Sequence, residues 1–212
     1  GEIMGLYSRV YAMTGSFNTS AAHLARGAEY KTENNEISLI LDQLYVLQKM
    51  GEDQRIESQL EESLKSHPDS FPLLMAKGEY YSRRQRLEEA AEVFQRTAHL
   101  SPEDFFPPYN LGTVLIGMGK PDAALEAFRA ARNLSPDNDY AEKSSWGMAF
   151  SMFLQQKYEE AAGWFRKIGN EEMVRFCLEA QMERKDQEPV FLDIDPRENR
   201  AFPDALECAK LL

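Results

Sequence analysis

The sequence predicts an all-α protein built from stacked helix–turn–helix repeats, and two observations lead to that prediction. Apolar residues recur with helical spacing through most of the chain, in segments separated by short polar or glycine-containing turns. In addition, four residue types recur 34 residues apart, as the pairs Gly78 and Gly112, Ala90 and Ala124, Phe94 and Phe128, and Pro102 and Pro136. A period of 34 residues is typical of a helix pair that buries its apolar face by stacking on its neighbours.

The recurring residues resemble the markers of the tetratricopeptide repeat (TPR) family. In that family's frame a small residue stands at position 8, alanine at 20, an aromatic residue at 24 and proline at 32, and the clearest match covers residues 71–136. The resemblance implies a right-handed α-solenoid of about five repeats, the outer ones degenerate, and a role in binding other proteins. We therefore predict repeats at residues 1–34, 37–70, 71–104, 105–140 and 141–170, a capping helix at 171–185, and a tail at 186–212.

The helices of the first two repeats follow from this frame. Repeat one is expected to contain a helix at about residues 3–14, a turn at Gly15, and a second helix to about Tyr30, capped by Asn18 or Thr19. Residues 31–36 (KTENNE) form a polar break. In repeat two, apolar residues nearly all the way round predict a helix at about 37–50 that is buried on two sides. A single apolar stripe, Ile56, Leu60 and Leu64, predicts its partner at about 54–66.

Repeats three and four each end in Ser-Pro, because proline cannot continue the helix that it follows. Phe128 and Phe165 lie 37 residues apart, three more than the period, and we place the three extra residues in a polar turn at Asp137-Asn138-Asp139, before repeat five. The amphipathic segment at 171–185 is expected to cap the stack, since the terminal unit of a repeat array needs a polar outer face.

The tail changes character from Asp186 onward. It contains three prolines and is apolar at Val190, Phe191, Leu192 and Ile194, which predicts extended chain followed by a short helix at about 205–212. Because those apolar residues are costly to expose, the tail is expected to dock on the repeats. Two docking places are open: the capping helix at Val174 and Leu178, or the binding groove, as an internal ligand.

Composition and charge exclude several functions. A formal net charge of −11 argues against nucleic acid as a partner, because phosphate binding depends on clustered Lys and Arg. No segment is apolar and long enough to span a bilayer, so direct membrane insertion is not expected. The chain starts at Gly1 rather than at methionine, so an upstream signal or anchor can precede it, and the compartment stays open.

Residues for catalysis or cofactor binding are not arranged as known chemistry requires. The histidines fall outside metal-ligand spacings, and Cys177 and Cys208 form neither a CxxC motif nor a disulfide framework. The paired glutamates lie at helix starts or on exposed helix faces, where a structural role is sufficient. We therefore expect no metal, no cofactor and no enzymatic activity.

The remaining candidate is the concave surface, which in the TPR family is lined by positions 2, 5, 9 and 12 of each first helix. The resemblance places there Leu41, Tyr45, Met75, Glu79, Phe106, Tyr109, Thr113, Ile116, Trp146, Phe150 and Phe153, and it adds Asn110 at position 6 as a further candidate. Exposed aromatic side chains of this kind are typical of interaction sites, so we expect a protein or peptide segment to bind there through apolar contacts. Only Asn110 matches the family's clamp for a peptide carboxylate.

Two alternatives accompany that expectation. Several of these rings can instead pack on the next repeat, if the superhelix is tight. The same apolar surface can also join copies of the chain into a homo-oligomer.

Overall fold

The computed structural model describes residues 2–29, 35–135 and 139–186, and this part of the chain consists of helices and turns. The helices are α1 (Glu2–Met13), α2 (Phe17–Ala28), α3 (Glu36–Met50), α4 (Asp53–Ser66), α5 (Phe71–Arg83), α6 (Leu87–Leu100), α7 (Phe106–Gly117), α8 (Pro121–Leu134), α9 (Asp139–Leu154), α10 (Tyr158–Lys167) and α11 (Glu171–Asp186). They follow the predicted alternation of a first helix (helix A) and a second helix (helix B). The predicted all-α repeat fold is confirmed.

The chain divides into two compact units, Gly1–Lys77 and Gly78–Leu212. The division falls inside α5. The second unit contains the clearest repeats.

Close contact between a glycine and a phenyl ring explains why the repeat signature exists. A Cβ atom added at Gly78 would lie 2.5 Å from Cε1 of Phe94, and one added at Gly112 would lie 2.9 Å from Cδ1 of Phe128. The ring at position 24 of helix B therefore fills the space that a side chain at position 8 of helix A would occupy. Ala90 and Ala124 are 0% exposed, so position 20 also lies where the two helices approach most closely.

One phenyl ring also joins consecutive repeats. A Cβ atom added at Gly147, on α9, would lie 2.7 Å from Cε1 of the same Phe128 that packs on Gly112. The ring of repeat four is thus covered by helix A of repeat four and by helix A of repeat five. Such shared burial is what makes each repeat depend on its neighbour.

The turn between helix A and helix B uses a left-handed residue at a fixed place. Gly119 has φ +66°, and Gln85, 34 residues earlier, has φ +59°. Glycine adopts this conformation without steric cost, whereas glutamine adopts it at some cost, which the packing of the flanking helices must offset.

The first unit follows the same plan with different residues. Ser8 and Ser20 occupy positions 8 and 20 and are each 0% exposed. Their hydroxyl oxygens lie 3.0 Å apart, and the Ser20 hydroxyl donates to the carbonyl oxygen of Ser8 at 2.8 Å. A buried pair of small polar residues that satisfy each other therefore replaces the Gly and Ala of the stronger repeats.

Several predicted boundaries need correction. Asn18 and Thr19 lie within the first turn of α2, which begins at Phe17, so the prediction that either caps that helix is wrong. Asp139 begins α9 and does not belong to the predicted turn, because a helix accepts an aspartate in its first turn. Asp186 ends α11. Residues 30–34 of the predicted helix end and polar break, Asp137, Asn138 and the predicted tail at 187–212 lie outside the described residues.

Candidate partner-binding surface

The start of α7 carries a cluster of aromatic rings. Asp104 Oδ1 accepts a hydrogen bond from the backbone N–H of Phe106 at 2.8 Å, which fixes the first turn of the helix. The rings of Phe105 and Phe106 have centroids 4.2 Å apart, and the ring of Tyr140, on α9, lies 4.6 and 4.9 Å from them. All three side chains are partly exposed, so this cluster joins the helices A of repeats four and five and also faces solvent.

A second row of rings runs along α9. Trp146 and Phe150 stack with centroids 5.1 Å apart, and Phe150 and Phe153 stack at 6.3 Å. Phe150 and Phe153 are each 8% exposed, while Trp146 remains partly exposed. The indole N–H of Trp146 is itself buried and has no hydrogen-bond partner within the described part of the chain, so the accessible area of this side chain belongs to its ring carbons. Trp146 is therefore the accessible member of an otherwise buried stack.

Other predicted surface residues of this unit also belong to the core. Tyr109 is 9% exposed and meets Phe128 edge-to-face at 5.8 Å. Thr113 is buried, and its hydroxyl donates to the carbonyl oxygen of Tyr109 at 3.2 Å. The tight packing of helix A on helix B accounts for both positions.

Three predicted residues of this unit stay accessible besides Trp146. Phe106 and Asn110 lie four residues apart on α7, hence on one face, and each is partly exposed. The amide of Asn110 has no hydrogen-bond partner among the residues that the structure describes. Glu79, on α5, is exposed. The accessible set is thus smaller than the predicted one, and it combines aromatic, amide and carboxylate groups.

The predicted site residues of the first unit are likewise partly buried in the core and partly accessible. Met75 is 8% exposed, whereas Leu41 and Tyr45 are partly exposed. Tyr45 packs against the buried cluster of Ala12, Leu24 and Val46. The Lys49 ammonium lies 5.4 Å from the centre of the Tyr45 ring.

An ion pair between an exposed arginine and a buried aspartate links α1 to α3. Arg9 Nε lies 2.6 Å from Asp42 Oδ1, and the Asp42 side chain is 4% exposed. Burial raises the pKa of Asp42 from its ordinary value, and the Arg9 charge only partly opposes that effect. The sequence analysis missed this pair because the two residues are distant in the chain.

The sequence analysis also missed a cavity of about 320 Å³ between α3 and α4. Gln59 donates a hydrogen bond to Gln43 in its wall, and His67 Nε2 lies 3.6 Å from Glu36 Oε1. The lining is Glu36, Leu39, Ile40, Gln43, Gln59, Glu62, Ser63, Ser66 and His67. Polar and apolar groups alternate there without a nucleophile poised against a base.

The thiol of Cys177 and the possible metal-ligating side chains of the described residues have structural roles. Cys177 is 0% exposed, and burial raises the pKa of its thiol to about 11, so little thiolate forms at neutral pH. Among residues 2–29, 35–135 and 139–186, no group of three or more His, Cys, Asp or Glu side chains is arranged to hold a metal ion. In the same residues, no helix combines the length and the hydropathy needed to cross a membrane.

The repeat geometry and the accessible helix A residues together define a helical repeat protein of the TPR type. The chain belongs to the family of ChAPs (Chs5p-Arf1p-binding proteins), whose model matches residues 8–162. The name of that family states that its members bind Chs5p and Arf1p. No curated protein sequence matches the chain at a significant level.

Solved structures share the fold. MamA from Desulfovibrio magneticus RS-1 matches with a TM-score of 0.64 and 20% identity, over 88% of this chain and 97% of that chain. MamA AMB-1 matches with a TM-score of 0.61 and 24% identity, over 78% and 95% of the two chains. A mutant O-GlcNAc transferase from Thermobaculum terrenum matches with a TM-score of 0.52 and 21% identity, over 65% of this chain and 27% of the transferase. These likenesses concern the fold alone.

Proposed function

We propose that this protein is a non-catalytic scaffold that binds a segment of a partner protein on the helix A face of its second unit. Phe106, Asn110 and Trp146 are the main contacts in this proposal. The observation that carries it is that these three side chains stay accessible, while the residues around them are used in the core. The family description supports a protein as the class of partner.

The chemistry of the three residues favours a peptide. Phe106 and Trp146 offer partly exposed aromatic area, which contributes most of the energy in many interfaces. The amide of Asn110 can pair with the donor and the acceptor of a peptide backbone at once. Buried Tyr109 and Phe150 hold their neighbours in place, so the contacting groups lose little freedom on binding.

The same proposal holds that the protein catalyses no reaction. In the described part of the chain the groups with shifted pKa values are Asp42 and Cys177, and both side chains are buried in structural contacts. The transferase likeness covers a minor part of that enzyme.

Self-association is the second candidate, and one observation favours it. Tyr7, Val10 and Met13 are 52%, 56% and 72% exposed, and their spacing places them on one side of α1. An exposed apolar stripe of this kind can join two copies of the chain.

A peptide selection tests the proposed function. The full chain is used to select binders from a library of random peptides, and the selected peptides are then offered to the Asn110→Ala variant. We expect the variant, which loses an unpaired amide and no packing, to retain its melting temperature and to bind the same peptides at least about 5-fold more weakly. Peptides that bind wild type and variant equally, or no selected peptide at all, would remove the support for this face.

A further inference from the structure

A group of cationic and aromatic side chains lies at the junction of α8, α9 and α10. Arg132 Nε donates to the Ser145 hydroxyl at 2.9 Å, and the centre of the Arg132 guanidinium lies 5.3 Å from the centre of the Trp164 ring. The Lys167 ammonium lies 4.3 Å from the same ring. One indole therefore holds two cations, in a chain whose net charge is −11.

The hydrogen bonding at Ser145 determines which edge of Arg132 stays available. The Ser145 hydroxyl donates its hydrogen to the carbonyl oxygen of Ala141 at 2.7 Å, so its lone pairs accept from Arg132 Nε. Ser145 is 4% exposed, which fixes the pair in place. The bond through Nε leaves the opposite edge of the guanidinium, with Nη1 and Nη2, outside the contact with Ser145.

That edge is suited to one kind of ligand. Two parallel N–H groups of a guanidinium match the two oxygens of a carboxylate, and the bond is strongest where the arginine is already held in position. Burial of Ser145 and stacking on Trp164 hold Arg132 before a ligand arrives, and Lys167 adds a second positive charge beside it.

We propose that Arg132, Trp164 and Lys167 form an anchor for a carboxylate side chain in an acidic segment of a partner protein. The anchor is separate from the helix A contacts and does not depend on them. Because the chain's net charge is −11, an acidic segment is repelled by the protein as a whole, and the paired charges of Arg132 and Lys167 would orient it at this place.

The two tryptophans allow a direct test on the full chain, since each gives one indole N–H signal in a nitrogen-15 correlation spectrum. The Trp164→Phe variant assigns the signals. The probes are an acetylated peptide of three glutamates and its glutamine counterpart. We expect the glutamate peptide to shift the Trp164 signal in a saturable way, the glutamine peptide to shift it little, and the signal of Trp146 to stay in place.

Matched variants separate the anchor from general charge attraction. Arg132→Lys keeps the charge and loses the paired N–H edge, so it should weaken glutamate-peptide binding about 10-fold or more. Arg129→Lys, one turn earlier on α8, alters an arginine that is already paired with Glu126 at 2.7 Å and should leave binding unchanged. If Arg132→Lys does not fold, Lys167→Gln replaces it, with an expected loss of about 3-fold.

Three results would overturn the anchor. One is a Trp164 signal that does not move with the glutamate peptide. Another is an equal shift with the glutamine peptide. The third is an Arg132→Lys variant that binds the glutamate peptide as tightly as Arg129→Lys does, which would show that the paired N–H edge of Arg132 contributes nothing to binding.

Discussion

At the scale of single residues, the glycines of helix A show how the repeat works. Gly112 and Gly147 approach Phe128 so closely that a methyl group at either would overlap its ring. Gly163, in the interior of α10, has open space where a Cβ would lie. The same substitution should therefore have opposite effects at two positions of one unit.

Gly147→Ala should lower the free energy of unfolding by about 1–3 kcal/mol, because overpacking against a buried ring outweighs the gain in helix propensity. Gly163→Ala should raise it by up to about 1 kcal/mol, because only the propensity term remains. Chemical denaturation of the two variants beside the wild type measures both. Stabilisation by Gly147→Ala would contradict the contact with Phe128.

At this scale the predicted site residues also divide into buried ones and accessible ones. The resemblance to the TPR family placed Tyr109, Phe150 and Phe153 on a binding surface, because their positions in helix A line one side of the repeat in that family. It does not show how deeply the next helix covers that side. Phe106 and Asn110 remained partly exposed, although Pro107, Pro108 and Tyr109 between them are buried.

At the scale of elements, the helices could be predicted closely and their caps could not. Apolar periodicity and the Ser-Pro stops locate a helix to within a few residues. The first residue depends on local hydrogen bonds, and α2 begins without a side-chain cap after Ser16. The Ser8 and Ser20 pair explains why the sequence signature of repeat one is weak. Two serines fill the close helix crossing that Gly and Ala fill in the other repeats.

The link between α1 and α3 should give the protein a distinctive pH dependence. Asp42 has a raised pKa, so the folded chain binds its proton more tightly than the unfolded chain does. Its contribution to stability is therefore present at low pH and is lost as pH rises from the ordinary aspartate value through the raised one. Asp42→Asn removes this slope, because an amide does not titrate.

Denaturation between about pH 4 and pH 7 measures that slope. We expect the stability of the Asp42→Asn variant, taken relative to wild type, to increase with pH across this window and then to level off. Glu61→Gln, which alters an exposed carboxylate on α4, serves as the control and should give a flat difference. Parallel pH profiles for Asp42→Asn and wild type would contradict the burial of the Asp42 charge.

At the scale of the whole molecule, the choice lies between a scaffold for a partner and a self-associating subunit. We expect the chain to remain a monomer of 24.3 kDa over a roughly 100-fold range of concentration, because the α1 stripe is narrow compared with stable dimer interfaces. Size-exclusion chromatography with light scattering measures this mass. A mass that doubles with concentration, and returns to the monomer value in Val10→Ser/Met13→Ser, would support self-association instead.

The central claim is that the accessible helix A residues of the second unit bind a partner segment. Calorimetry with a selected peptide tests it most directly, using Trp146→Ala and, as a control, Leu154→Ala, which removes a side chain 40% exposed on the same helix. We predict that Trp146→Ala weakens binding by about 2 kcal/mol, roughly 30-fold, while its helical circular dichroism stays intact, and that Leu154→Ala changes nothing. Equal affinity for Trp146→Ala and wild type, or loss of fold in place of loss of binding, would contradict the account.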